Sequence, residues 1–96
     1  MKIVVVGTRS DKFTAEEFAP HLDAEAKRAL QFVAEDFFRE IYSRSDGKGA
    51  IIVLEASSEE EARAQMSELP LVQTGMLELE FYPVQPYRAF VAAAQA

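Results

Sequence analysis

The segment from Ser58 to Tyr87 constrains the fold more than any other part of this chain. Ser58 and the three glutamates after it have the spacing of a capping box, which predicts the start of a helix. The Leu69-Pro70 step predicts the end of that helix, and Gly75 predicts a turn. Residues 76–84 then alternate between apolar and polar side chains, which is typical of a strand with one buried face. A helix therefore leads directly into a strand near the end of the chain.

The first third of the chain predicts a strand followed by a helix. Residues 2–6 (KIVVV) form a continuous run of β-branched side chains after Lys2, which favours a buried strand. Thr14 and Glu17 have capping-box spacing, and apolar side chains then recur every three or four residues as far as Val33. Pro20 lies inside this pattern and predicts either a kink or a second start of the helix.

Two further strands complete the pattern. Residues 37–44 and 50–56 are rich in aromatic and β-branched side chains, and Asp46 to Gly49 between them suit a tight hairpin. The predicted order is β-α-β-β-α-β in a single domain of residues 1–96. This order predicts an α+β, ferredoxin-like fold, with a four-stranded antiparallel sheet and two helices on one face.

Composition excludes several kinds of site and partner. The 96 residues include 10 Lys and Arg against 16 Asp and Glu, no Cys and one His. An acidic chain with scattered cations is a poor match for nucleic acid or an anionic membrane. The lack of cysteine and of a second histidine excludes thiolate and multi-histidine metal sites within one subunit, and we expect no metal and no cofactor. No apolar run is long enough for a membrane span or a signal peptide, so a cytoplasmic location is expected.

The two helices cover one face of the predicted sheet, which leaves the other face open. Alternation predicts that Leu77, Leu79 and Phe81 face the helices. Apolar residues make up 49% of the chain, more than a small monomer easily buries, so we expect a homodimer or a larger homo-oligomer. A bulge would reverse the assignment of any strand. The predicted open face comprises Phe38, Glu40, Tyr42, Arg44, Ile51, Val53, Glu55, Glu78, Glu80 and Tyr82.

The segment LPLVQTGMLELE, residues 69–80, resembles two known families. Muconolactone isomerases have a similar Leu-Pro-Leu step before their last strand. YCII-like proteins have a Pro and, five residues later, a Gly before that strand, here Pro70 and Gly75, and residues 19–22 (APHL) are similar to their Pro/His-Leu segment. Leu69 stands where YCII-like proteins pair an Asp with this His. Both families are dimeric α+β barrels, so the resemblance implies that two open sheet faces close around a pocket.

Three side chains are candidates for catalysis. Histidine is the residue type that most readily exchanges a proton near neutral pH, so His21 suits a general acid or base, and a capping or solvated histidine is the structural alternative. Glu55 ends an apolar strand, where burial would make it a proton shuttle and exposure would make it a strand end. Tyr42 would polarise a substrate oxygen, or it packs as aromatic residues in strands commonly do.

Three further side chains are candidates for substrate binding. Arg39 and Arg44 would hold a carboxylate in a two-point fork, or they form salt bridges with nearby glutamates. Tyr82 would donate a hydrogen bond to a substrate oxygen, or it packs in the strand as the alternative for Tyr42 states. Together with the resemblance, these groups imply cofactor-free proton transfer on a small organic acid or lactone, by an isomerase or lyase.

Two other functions stay open at this point. A non-catalytic module that binds a small molecule or stabilises an assembly would have an apolar pocket, with every arginine used in salt bridges. A cofactor-independent monooxygenase of the same superfamily would need an aromatic pocket, for which Phe37, Phe38 and the two tyrosines are the available residues.

Overall fold

One antiparallel sheet organises the protein, for which a computed structural model describes all residues from Met1 to Ala96. Its strands lie in the order β2-β3-β1-β4, and every neighbouring pair is antiparallel. This is the α+β ferredoxin-like fold predicted from the sequence. The strands are β1 (Lys2–Arg9), β2 (Phe38–Ser43), β3 (Gly49–Glu55) and β4 (Leu77–Val84).

Six helices accompany the sheet, and none has the length and apolar character needed to cross a bilayer. Helices α1 and α2 lie in the first predicted helical segment and α3 lies in the second, whereas α4 follows the predicted end of the second segment. A 3-10 turn, Ala19–His21, separates α1 from α2. The five α-helices are α1 (Ala15–Phe18), α2 (Leu22–Ala34), α3 (Glu59–Met66), α4 (Pro70–Gln73) and α5 (Arg88–Gln95), and the 3-10 turn is the sixth helix.

A proline lies close to the break in each helical region. Pro20 lies in the 3-10 turn that joins α1 to α2, so the helix is irregular there as predicted, but α2 starts at Leu22 and not at Pro20. The prediction for Pro70 was wrong: α3 already ends at Met66, and Pro70 is the first residue of α4. A proline at the first helical position loses no hydrogen bond, because that amide has no partner inside the helix.

The two predicted caps differ. The Thr14 hydroxyl accepts from the Glu17 amide at 3.3 Å, and the Glu17 carboxylate accepts from the Thr14 amide at 2.9 Å, which completes a capping box. The Ser58 hydroxyl accepts from the Glu61 amide at 3.1 Å. The Glu61 carboxylate accepts from the Ser57 hydroxyl instead, so only half of the second box forms.

The main core lies between the sheet and helices α2 and α3. Three aromatic rings, those of Phe32, Phe37 and Phe38, lie 5.0 to 5.4 Å apart at its centre. Leu77, Leu79 and Phe81 face the helices as predicted, and Glu78, Glu80 and Tyr82 lie on the open face. The buried members of the main core are Ile3, Val5, Phe32, Phe37, Phe38, Ile52, Leu54, Ala62, Met66 and Leu69.

A β-bulge corrects the predicted position of Phe38. Phe38 pairs with Leu54 and Glu40 with the next residue of β3, Val53, so Arg39 is an extra residue in β2. The bulge turns Phe38 toward the helices, where its side chain is 1% exposed. The assignment of Phe38 to the open face was therefore wrong.

The hairpin between β2 and β3 forms where the sequence predicted it. The Asp46 carboxylate accepts from the Lys48 amide at 2.9 Å, and Gly47 has a φ of 73°. Gly49 has a φ of 151°, and a Cβ there would lie 2.0 Å from the carbonyl oxygen of Gly7. Glycine at this position therefore lets the start of β3 lie directly against β1.

Candidate functional site

A cavity of about 350 Å³ lies between α2 and the helix-facing side of the sheet. Residues of β2 and β3 form most of its floor, and residues of α2 that lie three or four apart form its roof. Ten of its fourteen lining residues are apolar. The lining comprises Arg9, Leu22, Glu25, Ala26, Ala29, Phe38, Ile41, Ser43, Gly49, Ala50, Ile52, Leu69, Leu71 and Leu77.

Small side chains explain why this end of the core is not filled. Ala26 and Ala29 face the sheet from α2, while Gly49 and Ala50 start β3 beneath them. At the other end of the same layer, the rings of the phenylalanine cluster occupy the corresponding space. Protein interiors are normally close-packed, so a run of small residues opposite small residues leaves room for a ligand.

Glu25 contributes a half-buried carboxylate to this cavity. Its Oε1 accepts from the backbone amide of Leu71 at 2.9 Å, which fixes the side chain against the first turn of α4. Its Oε2 accepts no hydrogen bond from the protein. Desolvation raises the pKa of Glu25, although the Leu71 amide and the nearby Arg9 charge act in the opposite direction. The result is a carboxyl group that holds its proton more tightly than an exposed one.

Arg9 contributes the one cation among the cavity-lining residues. Its guanidinium lies over the ring of Phe18, 5.2 Å from the centroid, and forms no ion pair. It also borders a second, wholly polar cleft beside the β2–β3 hairpin. The cavity thus combines an apolar body with an unpaired cation and a partly desolvated acid.

Two of the predicted catalytic residues lie at different ends of the molecule. His21 is half-buried at the last position of the 3-10 turn, one helical turn before Glu25, and its side chain does not cap α2. Glu55 ends β3 and forms an ion pair of 3.3 Å with the amino group of Met1. It borders a separate acidic cleft with Glu35, Asp36 and Glu61. No group of three or more His, Asp or Glu side chains is arranged to hold a metal ion.

The two predicted tyrosines lie on opposite edge strands of the open face. Tyr42 on β2 donates to Glu40 at 2.6 Å, and Tyr82 on β4 donates to Glu80 at 2.7 Å. These carboxylates raise the pKa of both phenols. Because two strands lie between β2 and β4, the tyrosines of one chain are on the order of 14 Å apart.

The two predicted substrate-binding arginines are bound within the protein. Arg39, in the bulge, pairs with Asp36 at 3.2 Å. Arg44 donates to the Thr8 hydroxyl at 2.8 Å and to the Asp46 carboxylate at 2.6 Å. The six predicted residues therefore do not converge on one site within a chain, and their roles stay predictions.

The open face has a regular pattern of its own. The register places Val4 and Val6 of β1 beside Val53 and Ile51 of β3, which makes an apolar strip along the centre of the sheet. A Tyr–Glu pair flanks the strip on each edge strand. The face therefore has the apolar centre and polar rim of a protein–protein interface.

Sequence reasoning missed Glu25 and Arg9. Glu25 lies three residues after Leu22 and four before Ala29, so it falls on the same side of α2 as the apolar residues. An acid on the apolar side of a helix is a signal that the sequence does contain. Arg9 ends β1 with no comparable pattern around it, and its proximity to Glu25 follows only from the tertiary fold.

The sequence matches no protein-family profile and no curated protein. Among solved structures, the chain is similar to the 5-chloro-2-hydroxyhydroquinone dehydrochlorinase of Burkholderia phenoliruptrix AC1100, in a complex with 2,5-dihydroxybenzoquinone. The TM-score is 0.72 at 11% sequence identity, over 93% of this chain and 98% of the other. At this identity the similarity establishes the fold alone, which is the α+β ferredoxin-like fold described above.

Proposed function

We propose that this chain is a cytoplasmic, homodimeric enzyme that transfers a proton on a small organic acid or lactone without a cofactor, as an isomerase or lyase. The observation that carries the proposal is the meeting of an unpaired arginine, Arg9, and a desolvated carboxyl group, Glu25, in one apolar cavity. A carboxyl group with a raised pKa exchanges protons near neutral pH more readily than an exposed one.

Each of the two residues has a distinct role in this reaction. Glu25 takes a proton from the carbon next to a substrate carbonyl through Oε2, while Oε1 stays bound to the Leu71 amide. The electron pair of the broken C–H bond moves to the carbonyl oxygen, and Arg9 stabilises the resulting negative charge. Return of the proton to another carbon gives an isomer, and departure of a leaving group gives a lyase reaction.

The solved structure with the same fold supports the choice of substrate size. Its name assigns it the removal of hydrogen chloride from a substituted hydroquinone, and its bound molecule is a single oxygenated ring. A cavity of about 350 Å³ is in the range of small-ligand sites. The resemblance to muconolactone isomerases points to the same class of small, oxygenated molecule.

The alternatives are favoured less by the cavity. A non-catalytic module was expected to have every arginine in a salt bridge, which is the case for Arg39 and Arg44 but not for Arg9. A cofactor-independent monooxygenase needs an aromatic pocket, and Phe38 is the one aromatic residue in the lining.

The dimer in this proposal forms through the open faces of two sheets. The apolar strip of Val4, Val6, Ile51 and Val53 is incompletely buried in one chain. Pairing of two such faces removes the strip from water and leaves the Tyr–Glu pairs at its margins. The cavity lies on the opposite side of each sheet, so each protomer keeps a complete set of its lining residues.

The test is exchange of deuterium from solvent into muconolactone and other small unsaturated lactones, followed by proton NMR. We expect exchange with the wild-type protein and a loss of about 100-fold or more in Glu25→Gln, in line with the usual contribution of a general acid–base. Glu80→Gln is the matched control, because this glutamate lies on the open face, and it is expected to exchange at the wild-type rate.

Two further variants test the roles predicted from the sequence. His21→Ala and Glu55→Gln lose exchange only if those residues move the proton. Wild-type exchange in Glu25→Gln, with loss in either of the other two, would transfer the catalytic role from Glu25. Exchange no faster than in buffer for every lactone and organic acid of the series would remove the proposed activity.

A further inference from the structure

The last helix, α5 (Arg88–Gln95), contributes nothing to the core of its own chain. All its residues are exposed, including Phe90 at 74%, and Tyr87 just before it is exposed at 67%. The rings of Tyr87 and Phe90 lie 4.8 Å apart and form an aromatic side together with Val91. A helix of this length is unstable alone in water, because helical stability in proteins comes mainly from packing of the apolar side. The aromatic side of α5 therefore needs a partner.

The connection to β4 directs α5 away from its own sheet. Only Gln85, Pro86 and Tyr87 separate the two elements, and Pro86 favours an extended conformation at the residue before it. The molecule measures 57 × 27 × 20 Å. β4 and α5 account for about 27 Å and 12 Å when placed end to end, so the long dimension is that of a body with a projecting arm.

The chain exposes more surface than a compact monomer of its mass, and the excess is similar to the area that one partner buries in a stable complex. The chain exposes 6410 Å². A compact monomer of 10.7 kDa exposes about 5,500 Å², so the excess is roughly 900 Å². Each partner in a stable complex of standard size buries about 800 Å².

The charge of the arm matches the body of another copy. All 16 acidic residues lie at or before Glu80, and Arg88 is the one charged side chain of the segment that follows. An acid-free helix with a cation at its start is complementary to the acidic body from which it projects.

We infer that α5 is an exchanged arm, whose aromatic side packs against a second copy of this chain in the dimer. The inference rests on the homodimer of the proposed function, but not on the chemistry of the cavity. The aromatic side, Tyr87, Phe90 and Val91, is then buried between protomers, and each protomer holds the other by its C-terminal segment.

The test measures self-association by analytical ultracentrifugation over a concentration series. Phe90→Asp places a charge on the aromatic side, and we expect it to raise the dimer dissociation constant by about 100-fold, as for an aromatic residue at the centre of an interface. Ala89→Asp is the matched control, since it adds the same charge to the same first turn on the opposite side of α5, and a change within about threefold is expected. A chain ending at residue 86 should behave as Phe90→Asp does, because it loses no buried residue.

Four outcomes of these measurements support or overturn the exchanged arm. Weaker association in Phe90→Asp and in the shortened chain, with Ala89→Asp unchanged, supports the arm. Unchanged association in all variants overturns it and leaves a dimer held by the sheets alone. A wild-type protein that is monomeric at high micromolar concentration overturns both the arm and the dimer, whereas the deuterium exchange still reports on the cavity. Co-sedimentation of a monomeric wild-type protein with phosphatidylcholine–phosphatidylglycerol vesicles, lost in Phe90→Asp, overturns the arm in favour of a lipid surface.

Discussion

The two faces of the sheet use similar residues in opposite ways. On the open face, the carboxylates of Glu40 and Glu80 each accept a hydrogen bond from a tyrosine of the same strand. On the helix face, Glu25 leaves one oxygen without a protein partner, and Arg9 forms no ion pair. Both faces are lined by apolar side chains with a few polar groups among them.

The hydrogen-bond and ion-pair partners of the polar side chains, rather than the residue types, distinguish the two faces. Polar groups that are already hydrogen-bonded to each other can border an interface at little cost, because they keep these partners when water is removed. Polar groups that are left free beside an apolar cavity are available to a ligand. This difference is the basis for proposing assembly on the open face and chemistry on the helix face.

The largest effect is expected from Phe38→Ala, which tests the division between the faces. Phe38 is fully buried against Phe32 and Phe37, so its truncation should lower the free energy of unfolding by about 3–5 kcal/mol. Chemical denaturation measures this loss. Arg39→Ala, the neighbouring change, removes an exposed ion pair with Asp36 and an exposed hydrogen bond to the Asp36 carbonyl, and it should cost less than about 1 kcal/mol. Similar losses in both variants would contradict the bulge that separates these two residues.

The next effect concerns ligand binding on the helix face. Arg9→Met should weaken the binding of benzoate, a small apolar anion, by about tenfold to a hundredfold, because a hydrogen bond to a charged group is lost. Chemical-shift changes of Ala50 and Ile52, which line the cavity, report the binding in an NMR titration. Lys48→Met removes a cation from the adjacent polar cleft only, and less than a threefold change is expected, about what loss of a distant charge gives. An equal loss in both variants would indicate general attraction of anions instead of a site.

A smaller effect is the pH dependence of stability. Because the pKa of Glu25 is raised by folding, the native state binds its proton more tightly than the unfolded state. The stabilisation is present at pH values below the unfolded pKa of about 4.3 and is lost as the pH rises through the higher folded pKa. Chemical denaturation at a series of pH values measures the effect. The free energy of unfolding of Glu25→Gln should not fall in this pH range, while that of Glu60→Gln, at an exposed position of α3, should fall as in the wild type. The same fall in both variants would mean that another group causes it.

The smallest effect is expected in the tyrosine pairs of the open face. Glu80→Gln should lower the pKa of Tyr82 toward its ordinary value, since removal of the carboxylate removes the main cause of its rise. Glu40→Gln should do the same for Tyr42. Ultraviolet titration of the phenols measures both changes, and the free energy of unfolding should change by less than about 0.5 kcal/mol in each variant. Unaltered titration curves would show that the pairs do not form in solution.

Local patterns were sufficient to predict most of the fold. Three features depend only on residues that are close in the sequence, and the structure contains each of them. They are the capping box at Thr14, the hairpin from Asp46 to Gly49 and the alternation of β4. The position of Phe38 was not predictable in this way. A bulge is defined by which residues of β3 lie opposite β2, and a single strand does not reveal its partner's register.

The candidate site was less predictable than the fold, for a similar reason. The residues predicted for the site, His21, Arg39, Arg44 and the two tyrosines, have chemically reactive or charged side chains. In the structure, most of these side chains already have partners within the protein. Glu25 looks ordinary in the sequence, and its burial depends on Leu71, which is 46 residues away. Free and satisfied polar groups differ only in tertiary contacts, which composition and periodicity do not contain.

The bulge at Arg39 gives β2 one spare residue. Deletion of Arg39 would leave Phe38 pointing inward and Glu40 outward, just as in an unbulged strand, so no side chain would change sides. Deletion of Ile41 instead would send Tyr42 into the core and Ser43 to the open face. The strand can thus shorten by one residue at a single point, and variation in length among related chains is expected to fall there.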